Sequence, residues 1–410
     1  MRSVGGLFEK LVDFQNLLDA SRKARRGKRF KAGVLRYEFG LERELLKVRD
    51  ELMSGAYAPG AYRRFTVNEG KKREICAAPY RDRVVHHALC NVLEPVLEPA
   101  FCHHSYACRK GKGTHQAILE ASRYARSSRY VLKCDIVKFY PSADHGVLKA
   151  MLARKVRDRR FLALCGLVID SWRENGNVSW FPGDDLFTPF ERPRGIPIGN
   201  LTSQFFANVY LTGMDHFIKE KLGCRKYLRY MDDFLVFGDD KRELAGTRDR
   251  IAAYLSGLRL RLHEGKSRVY HCEDGVGFLG FRIFPGFRLL NRDNVRRARR
   301  RFRRMSGAYS KGLLSPAQVS GSVRSWVAHA SWGNTYRLRR KVLAEVSFAS
   351  LPAVPNTAQA GREGAEELAS CGAVRGTTTP TTCARPTGTT TTRAIGTTTT
   401  GAVAPELPAL

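Results

Sequence analysis

The sequence predicts an α+β fold, and three observations carry that expectation. Stretches rich in aromatic and β-branched residues recur at 62–75, 128–142 and 224–240 and read as strands. Helix-like stretches at 147–175 and 202–222 are mixed among them without the regular alternation of a parallel α/β sheet. After Leu351 the character changes: residues 377–400 are dominated by threonine, broken by Pro, Gly, Arg and Ala, with no helical or strand period. Such a segment buries too little apolar surface to fold alone, which sets a boundary near 350 and predicts a disordered tail over 351–410.

Composition narrows the partner. The chain has 410 residues, 43% hydrophobic and 27% charged, which is globular, but 70 Lys+Arg against 39 Asp+Glu leave a net charge of +31. A field of that sign points to a polyanion, nucleic acid first and an acidic membrane surface second. No run is long and apolar enough to span a bilayer, and Met1-Arg2-Ser3-Val4-Gly5-Gly6 lacks the apolar segment of a signal peptide. The expectation is a cytoplasmic protein with no membrane partner. The ten cysteines form no CxxC pair, and Cys102-His103-His104 with Cys108 fits no zinc spacing, so thiols in a reducing compartment are expected.

Taken in order, residues 1–60 read as a basic helical extension. Leu7, Leu11, Phe14, Leu17 and Leu18 fall at helical spacing, and a second helix is expected from Leu41 to Met53. Between them, Arg22-Lys23-Ala24-Arg25-Arg26-Gly27-Lys28-Arg29 suits a solvated loop and a phosphate contact equally. Residues 61–285 open with a β pattern from Tyr62 to Ile75, turning at Gly70-Lys71-Lys72-Arg73, and a helix from Val84 to about Leu93 follows Pro79-Tyr80-Arg81-Asp82-Arg83. Over 286–350, eight arginines lie between Arg292 and Arg304, the pattern of a helix laid along a nucleic-acid backbone. A helical stretch then runs from Ser325 to Val346.

The chemistry concentrates at Tyr230-Met231-Asp232-Asp233, two acids at a turn between strand-like flanks. Acids beside apolar strands are unfavourable unless a cation compensates them. Hard divalent ions take one or two carboxylates plus substrate phosphates. A third acid, Asp135, ends the apolar run Tyr130-Val131-Leu132-Lys133-Cys134-Asp135. Together Asp135, Asp232 and Asp233 suit a two-metal phosphoryl-transfer site, with ions ~3.5–4 Å apart clamping the attacking and leaving oxygens.

With these motifs in place, the chain resembles a prokaryotic reverse transcriptase over about residues 60–290. The resemblance implies a right-hand polymerase, with fingers and palm over 61–285, a helical thumb over 286–350, and RNA-templated DNA synthesis with two Mg²⁺ ions. It implies catalytic and metal-binding roles for Asp135, Asp232 and Asp233, and makes Tyr140, five residues past the first acid, the gate against a nucleotide 2′-hydroxyl. Arg73 and Arg81 match fingers cations that hold the incoming dNTP, with Arg73 the main contact. Arg109, Lys110 and Lys112 match a basic segment, and Arg296, Arg300 and Arg303 fall in the thumb, all toward template RNA and the DNA primer or cDNA. Lys266, in Leu262-His263-Glu264-Gly265-Lys266-Ser267, is either a general acid for pyrophosphate or a surface lysine. Gly277-Phe278-Leu279-Gly280-Phe281 resembles the primer grip.

One departure narrows the subtype. In Gly195-Ile196-Pro197-Ile198-Gly199-Asn200-Leu201-Thr202-Ser203-Gln204, Ile198 stands where most members carry glutamine and Gln204 where they carry proline. This is similar to reverse transcriptases of diversity-generating retroelements, which copy a template repeat mutagenically at adenines. It makes Gln204 a substrate-positioning candidate and implies a small, basic, helical accessory protein. The tail agrees. Read one base earlier, every threonine codon (ACN) becomes NAC, which encodes Asn, Asp, His or Tyr, and adenine at the free base turns threonine runs into asparagine runs. Ala373 to Thr379 can then read Gly-Gly-Ser-Trp followed by asparagines, which resembles the variable region of a retroelement target protein. A retron, group II intron or phage-defence enzyme is the nearest alternative, and an RNA-binding scaffold with an idle site the alternative of another class.

Overall fold

The strand-like runs 62–75, 128–142 and 224–240 each contain strands, and further strands follow between residues 268 and 290, where no run predicted them. The computed structural model describes residues 4–68, 72–176 and 178–348; the expected disordered tail lies outside them. An antiparallel ribbon pairs β1 (Arg63–Asn68) with β2 (Lys72–Ala77). The central sheet holds β3 (Tyr130–Asp135), β4 (Tyr227–Tyr230), β5 (Asp233–Gly238) and β6 (Arg268–His271), in the order β4-β5-β3-β6 with every neighbour antiparallel. A smaller meander joins β7 (Val276–Phe278), β8 (Phe281–Ile283) and β9 (Arg288–Leu290). Mixed helices around antiparallel sheets make this an α+β fold.

Helices bury the central sheet from both sides. Helix Lys241–Gly257 packs on β3 and β5, and helix Thr114–Arg126 on β4 and β5. Helix Leu201–His216, buried along most of its length, packs against Tyr80–Leu97 and His145–Ala153. Short acids set the helix starts: Asp144 and Asp158 accept from Val147 N and Phe161 N, each capping a helix. Asp158 also accepts from Leu7 N and Phe8 N at 2.8 Å each, tying the N-terminal helix Leu7–Val12 to the same point.

The chain divides into two compact units. One comprises the described residues up to Arg297 together with Val327–Arg339; the other comprises Ala298–Trp326 and 340–348. In the second, Phe302 and Trp326 meet edge to face at 5.4 Å and Arg299 pairs with Glu345 at 2.9 Å. Among the described residues no helix is long and apolar enough to cross a membrane.

Several boundaries differ from expectation. The strand-like run 128–142 is a strand only to Asp135; Lys138 turns left-handed (φ 43°) and starts a helical turn, Phe139–Ser142. The stretch 147–175 is two helices, His145–Ala153 and Arg159–Asp170, separated at the Asp158 cap. The run 325–346 breaks into Pro316–Ala330 and Tyr336–Ala344, where the Thr335 hydroxyl donates to Ala330 O at 2.6 Å and Asn334 N to Arg288 O at 2.7 Å. The helix expected over 84–93 runs from Tyr80 to Leu97.

Candidate active site

The β3–β5 register places Asp135 directly opposite Asp233, so both side chains emerge on one face of the sheet. Tyr230 pairs with Asp233, leaving Met231 and Asp232 as the hairpin turn. Met231 takes a left-handed φ of 56° without being glycine, which is sterically costly and concentrates at functional positions. The Asp232 carbonyl accepts from Ile136 N at 3.3 Å, fastening the turn to the chain just past Asp135. Asp135, distant in sequence from the Asp232–Asp233 pair, thus stands at the same end of the sheet as that pair.

The electrostatics are those of a site short of positive charge. Burial raises the Asp232 pKa above the usual carboxylate range, with Asp135 adding to the effect. Asp233 rises to about 7, chiefly through burial; Lys133 opposes the rise, while Asp135 and Asp232 add to it. The Oδ1 atom of Asp233 is buried with no hydrogen-bond partner. Two lysines partly compensate: Lys266 Nζ donates to Asp135 Oδ2 at 2.5 Å, and Lys133 Nζ lies 3.7 Å from Asp233 Oδ2. Among the described residues no three His, Cys, Asp or Glu side chains converge as a ready-made ligand cluster. A few carboxylates with an orphaned oxygen nonetheless suit a hard divalent ion that takes its remaining ligands from phosphate and water.

Around the acids, the Tyr140 hydroxyl lies 3.6 Å from Met231 Sδ, and Asp232 is among the charges acting on it. Arg73 is exposed on β2, and its charge lowers the pKa of both Asp232 and Tyr140. Gln204, on the first turn of Leu201–His216, accepts from Cys108 Sγ at 3.2 Å. The segment 195–200 is fastened to β2: Cys76 N donates to Ile198 O at 2.9 Å, and Asn200 bonds Ala78 N and Cys76 O. Gly199 permits that approach, since a Cβ there would stand 2.7 Å from Ile75 Cγ2 at a φ of +113°.

Two of the expected binding cations are spent elsewhere. Arg81 pairs with Glu51, stacks over Tyr57 and reaches Ala58 O, so its guanidinium is held by the N-terminal helices and not brought to the acids. Arg109 bonds Glu98 Oε1 at 2.7 Å and the carbonyls of Cys102 and Ser105, which makes it the internal brace of its loop. Lys112 donates to His103 O, whereas Lys110 is exposed. Arg296, Arg300 and Arg303 are exposed on helix Arg292–Ser310, whose buried residues are Ala298 and Phe302. Sequence reasoning missed Lys133, which also donates to Gly277 O at 2.6 Å. Its signal was present: a residue two before Asp135 on one strand shares its face.

The profile of the reverse transcriptase (RNA-dependent DNA polymerase) family matches residues 65–283, more than half of the chain. The chain belongs to that family. It carries the domain of an RNA-directed DNA polymerase, which binds template RNA and primer and works with divalent metal ions. Relatives include Protein YkfC of Escherichia coli, 27% identical over 58% of this chain and 71% of that protein. Another is the group II intron-encoded protein LtrA of Lactococcus lactis, 21% identical over 59% of this chain and 50% of its own length. A third, the 91 kDa protein in the cob intron of Schizosaccharomyces pombe, is 28% identical over 40% of this chain and 19% of that protein. The chain thus spans half or less of the length of these two intron proteins. Among solved structures, telomerase from Candida albicans aligns over 71% of this chain and 56% of that chain, with a TM-score of 0.41 at 12% identity.

Proposed function

We propose that this reverse transcriptase extends a DNA primer on template RNA with Asp135, Asp232 and Asp233 holding two Mg²⁺ ions. The observation that carries the reading is the Asp135–Asp233 register beside an unpartnered, buried Asp233 oxygen. Magnesium bound there supplies charge neutralisation for the triphosphate and lowers the pKa of the attacking 3′-hydroxyl. The protein's own residues do the rest. Tyr140 walls the sugar side of the nucleotide, and Arg73 offers its guanidinium to the triphosphate. Lys266, which donates to Asp135 Oδ2, is the general-acid candidate for the leaving pyrophosphate. Exposed Lys110, Arg296, Arg300 and Arg303 hold phosphates of the template and primer.

We further propose that the template is a repeat RNA copied mutagenically at adenines, as in a diversity-generating retroelement, with a small, basic, helical accessory protein as partner. Ile198 and Gln204, and the asparagine-rich reading hidden in the threonine tail, support it. Similarity to YkfC and LtrA favours a second reading, an intron-type enzyme that copies faithfully. Sequencing cDNA made from the RNA encoded beside this gene separates the two. Errors concentrated at template adenines are expected, and evenly accurate copies overturn the mutagenic reading.

A further inference from the structure

On the face of β4 opposite the acids lies a buried arginine that the catalytic reading does not use. Alternation along Tyr227–Tyr230 turns Arg229 away from the side shared by Tyr230, Asp233 and Asp135, into the core beneath helix Leu201–His216. Arg229 and Asp215 are both fully buried, an arrangement that is costly unless every charge and donor is matched.

Here all are matched. Nε and Nη2 grip the two oxygens of Asp215 at 2.7 Å each, a two-pronged pair, and the Tyr227 hydroxyl donates to the same carboxylate at 2.5 Å. Nη2 also reaches Ser105 Oγ at 3.1 Å, and Nη1 reaches Asn208 Oδ1 at 3.2 Å. The fifth donor, again on Nη1, goes to the carbonyl of Met231 at 3.0 Å. A guanidinium has five N–H donors, and none is left over.

The last contact is the informative one. Met231 is the left-handed residue of the turn, and its carbonyl belongs to the peptide that enters Asp232. Arg229 holds the peptide before Asp232, while Ile136 N holds the carbonyl after it. Both peptides flanking this acid are thus fastened from the protein side. The same arginine anchors the root of the basic loop: Arg229 N donates to His104 O and Tyr106 N to Arg229 O, at 2.9 Å each. Asn208 adds Nδ2 to Ala107 O at 2.9 Å.

We infer that Arg229, braced by Asp215 and Asn208, is a positioning residue that sets the Asp232–Asp233 turn against Asp135 and locks the base of the 104–112 loop to it. The inference rests on the catalytic reading of those acids. A planar fork is required for it, because a lysine in the same place keeps the charge but reaches too few of these acceptors.

Single-nucleotide extension on a primed RNA template tests it, alongside primer–template affinity by fluorescence anisotropy and thermal melting. Arg229→Lys is expected to lower kcat about 100-fold, the scale of an ångström-sized misplacement of a reacting group. KM for the dNTP and affinity for primer–template stay within about threefold, since Arg109 still braces the 104–112 loop from within and Lys110 itself is unchanged. Asn208→Ala, which removes one strut, is expected to lower kcat about tenfold with the same pattern. If Arg229→Lys does not fold, Asn208→Ala and Ser105→Ala decide by the same rule. A folded variant with wild-type kcat overturns the inference, as does a kcat loss matched by equal losses of template affinity and melting temperature. Asp232→Asn separates the layers. If it retains full activity, the catalytic reading itself fails; if it is inactive while the strut variants are normal, only the positioning role fails.

Discussion

The two faces of the β4–β5 hairpin carry buried charge in opposite states. On one, Asp233 is raised to about 7 with Oδ1 unpartnered, and two lysines only partly compensate three acids. On the other, a few residues away along one strand, Arg229 and Asp215 leave no donor unmatched. Burial is deeper on the second face, where Arg229 and Asp215 are wholly enclosed while the acids and their lysines keep part of their surface exposed, so burial does not account for the open charge on the first. What differs is completeness. A network closed on itself is architecture, whereas an open one marks where something from outside must complete the charge balance.

Breaking the closed face has the largest expected effect on stability. Asp215→Leu leaves a buried guanidinium without its counter-ion and is expected to cost about 3–5 kcal/mol in urea denaturation. A cost under about 1 kcal/mol means that the core solvates Arg229 by other means, and the contrast between the faces disappears.

His86 sharpens the comparison from a third direction. It is buried with neither ring nitrogen partnered, and burial, followed by the charges of His87 and Arg83, holds its pKa down to about 3. The folded protein thus keeps it neutral, while the unfolded chain binds a proton near pH 6.5. Stability from this group is intact above pH 6.5 and falls progressively between there and about pH 3. At pH 5 the loss is about 2 kcal/mol. His86→Leu is expected to flatten that part of the melting-temperature profile; an unchanged slope assigns the acid sensitivity elsewhere.

The smallest effect carries the opposite sign. Asp233→Asn removes an uncompensated charge from the open face, so the metal-free protein in EDTA is expected to gain about 1 kcal/mol while losing polymerisation. A destabilised Asp233→Asn shows that Lys133 already satisfies this acid.

Much of this was readable in the chain, for reasons particular residues make plain. Asp135, Asp232 and Asp233 stood out because each interrupts an apolar strand, and strand pairing is the simplest way to bring them together. Tyr140 was singled out by its distance from Asp135, although its segment turns helical at Lys138, where a left-handed residue breaks a run that composition alone reads as strand. Arg81 and Arg109 illustrate the limit. Their positive charge is visible in the sequence, but Glu51 and Glu98, the partners that absorb it, lie 30 and 11 positions away and signal nothing locally. Arg229 gave no signal of its own in the sequence, since strand alternation, visible only once the β4–β5 register is set, sends it away from the acids that follow it.

The stitching of residues 195–200 onto β2 has its own implication. Cys76 and Ala78 bond this loop through backbone and Asn200, with Gly199 seated against Ile75. Any tilt of the two-stranded ribbon therefore carries the Ile198 bend with it, and a side chain added at position 199 strains the joint between the two segments.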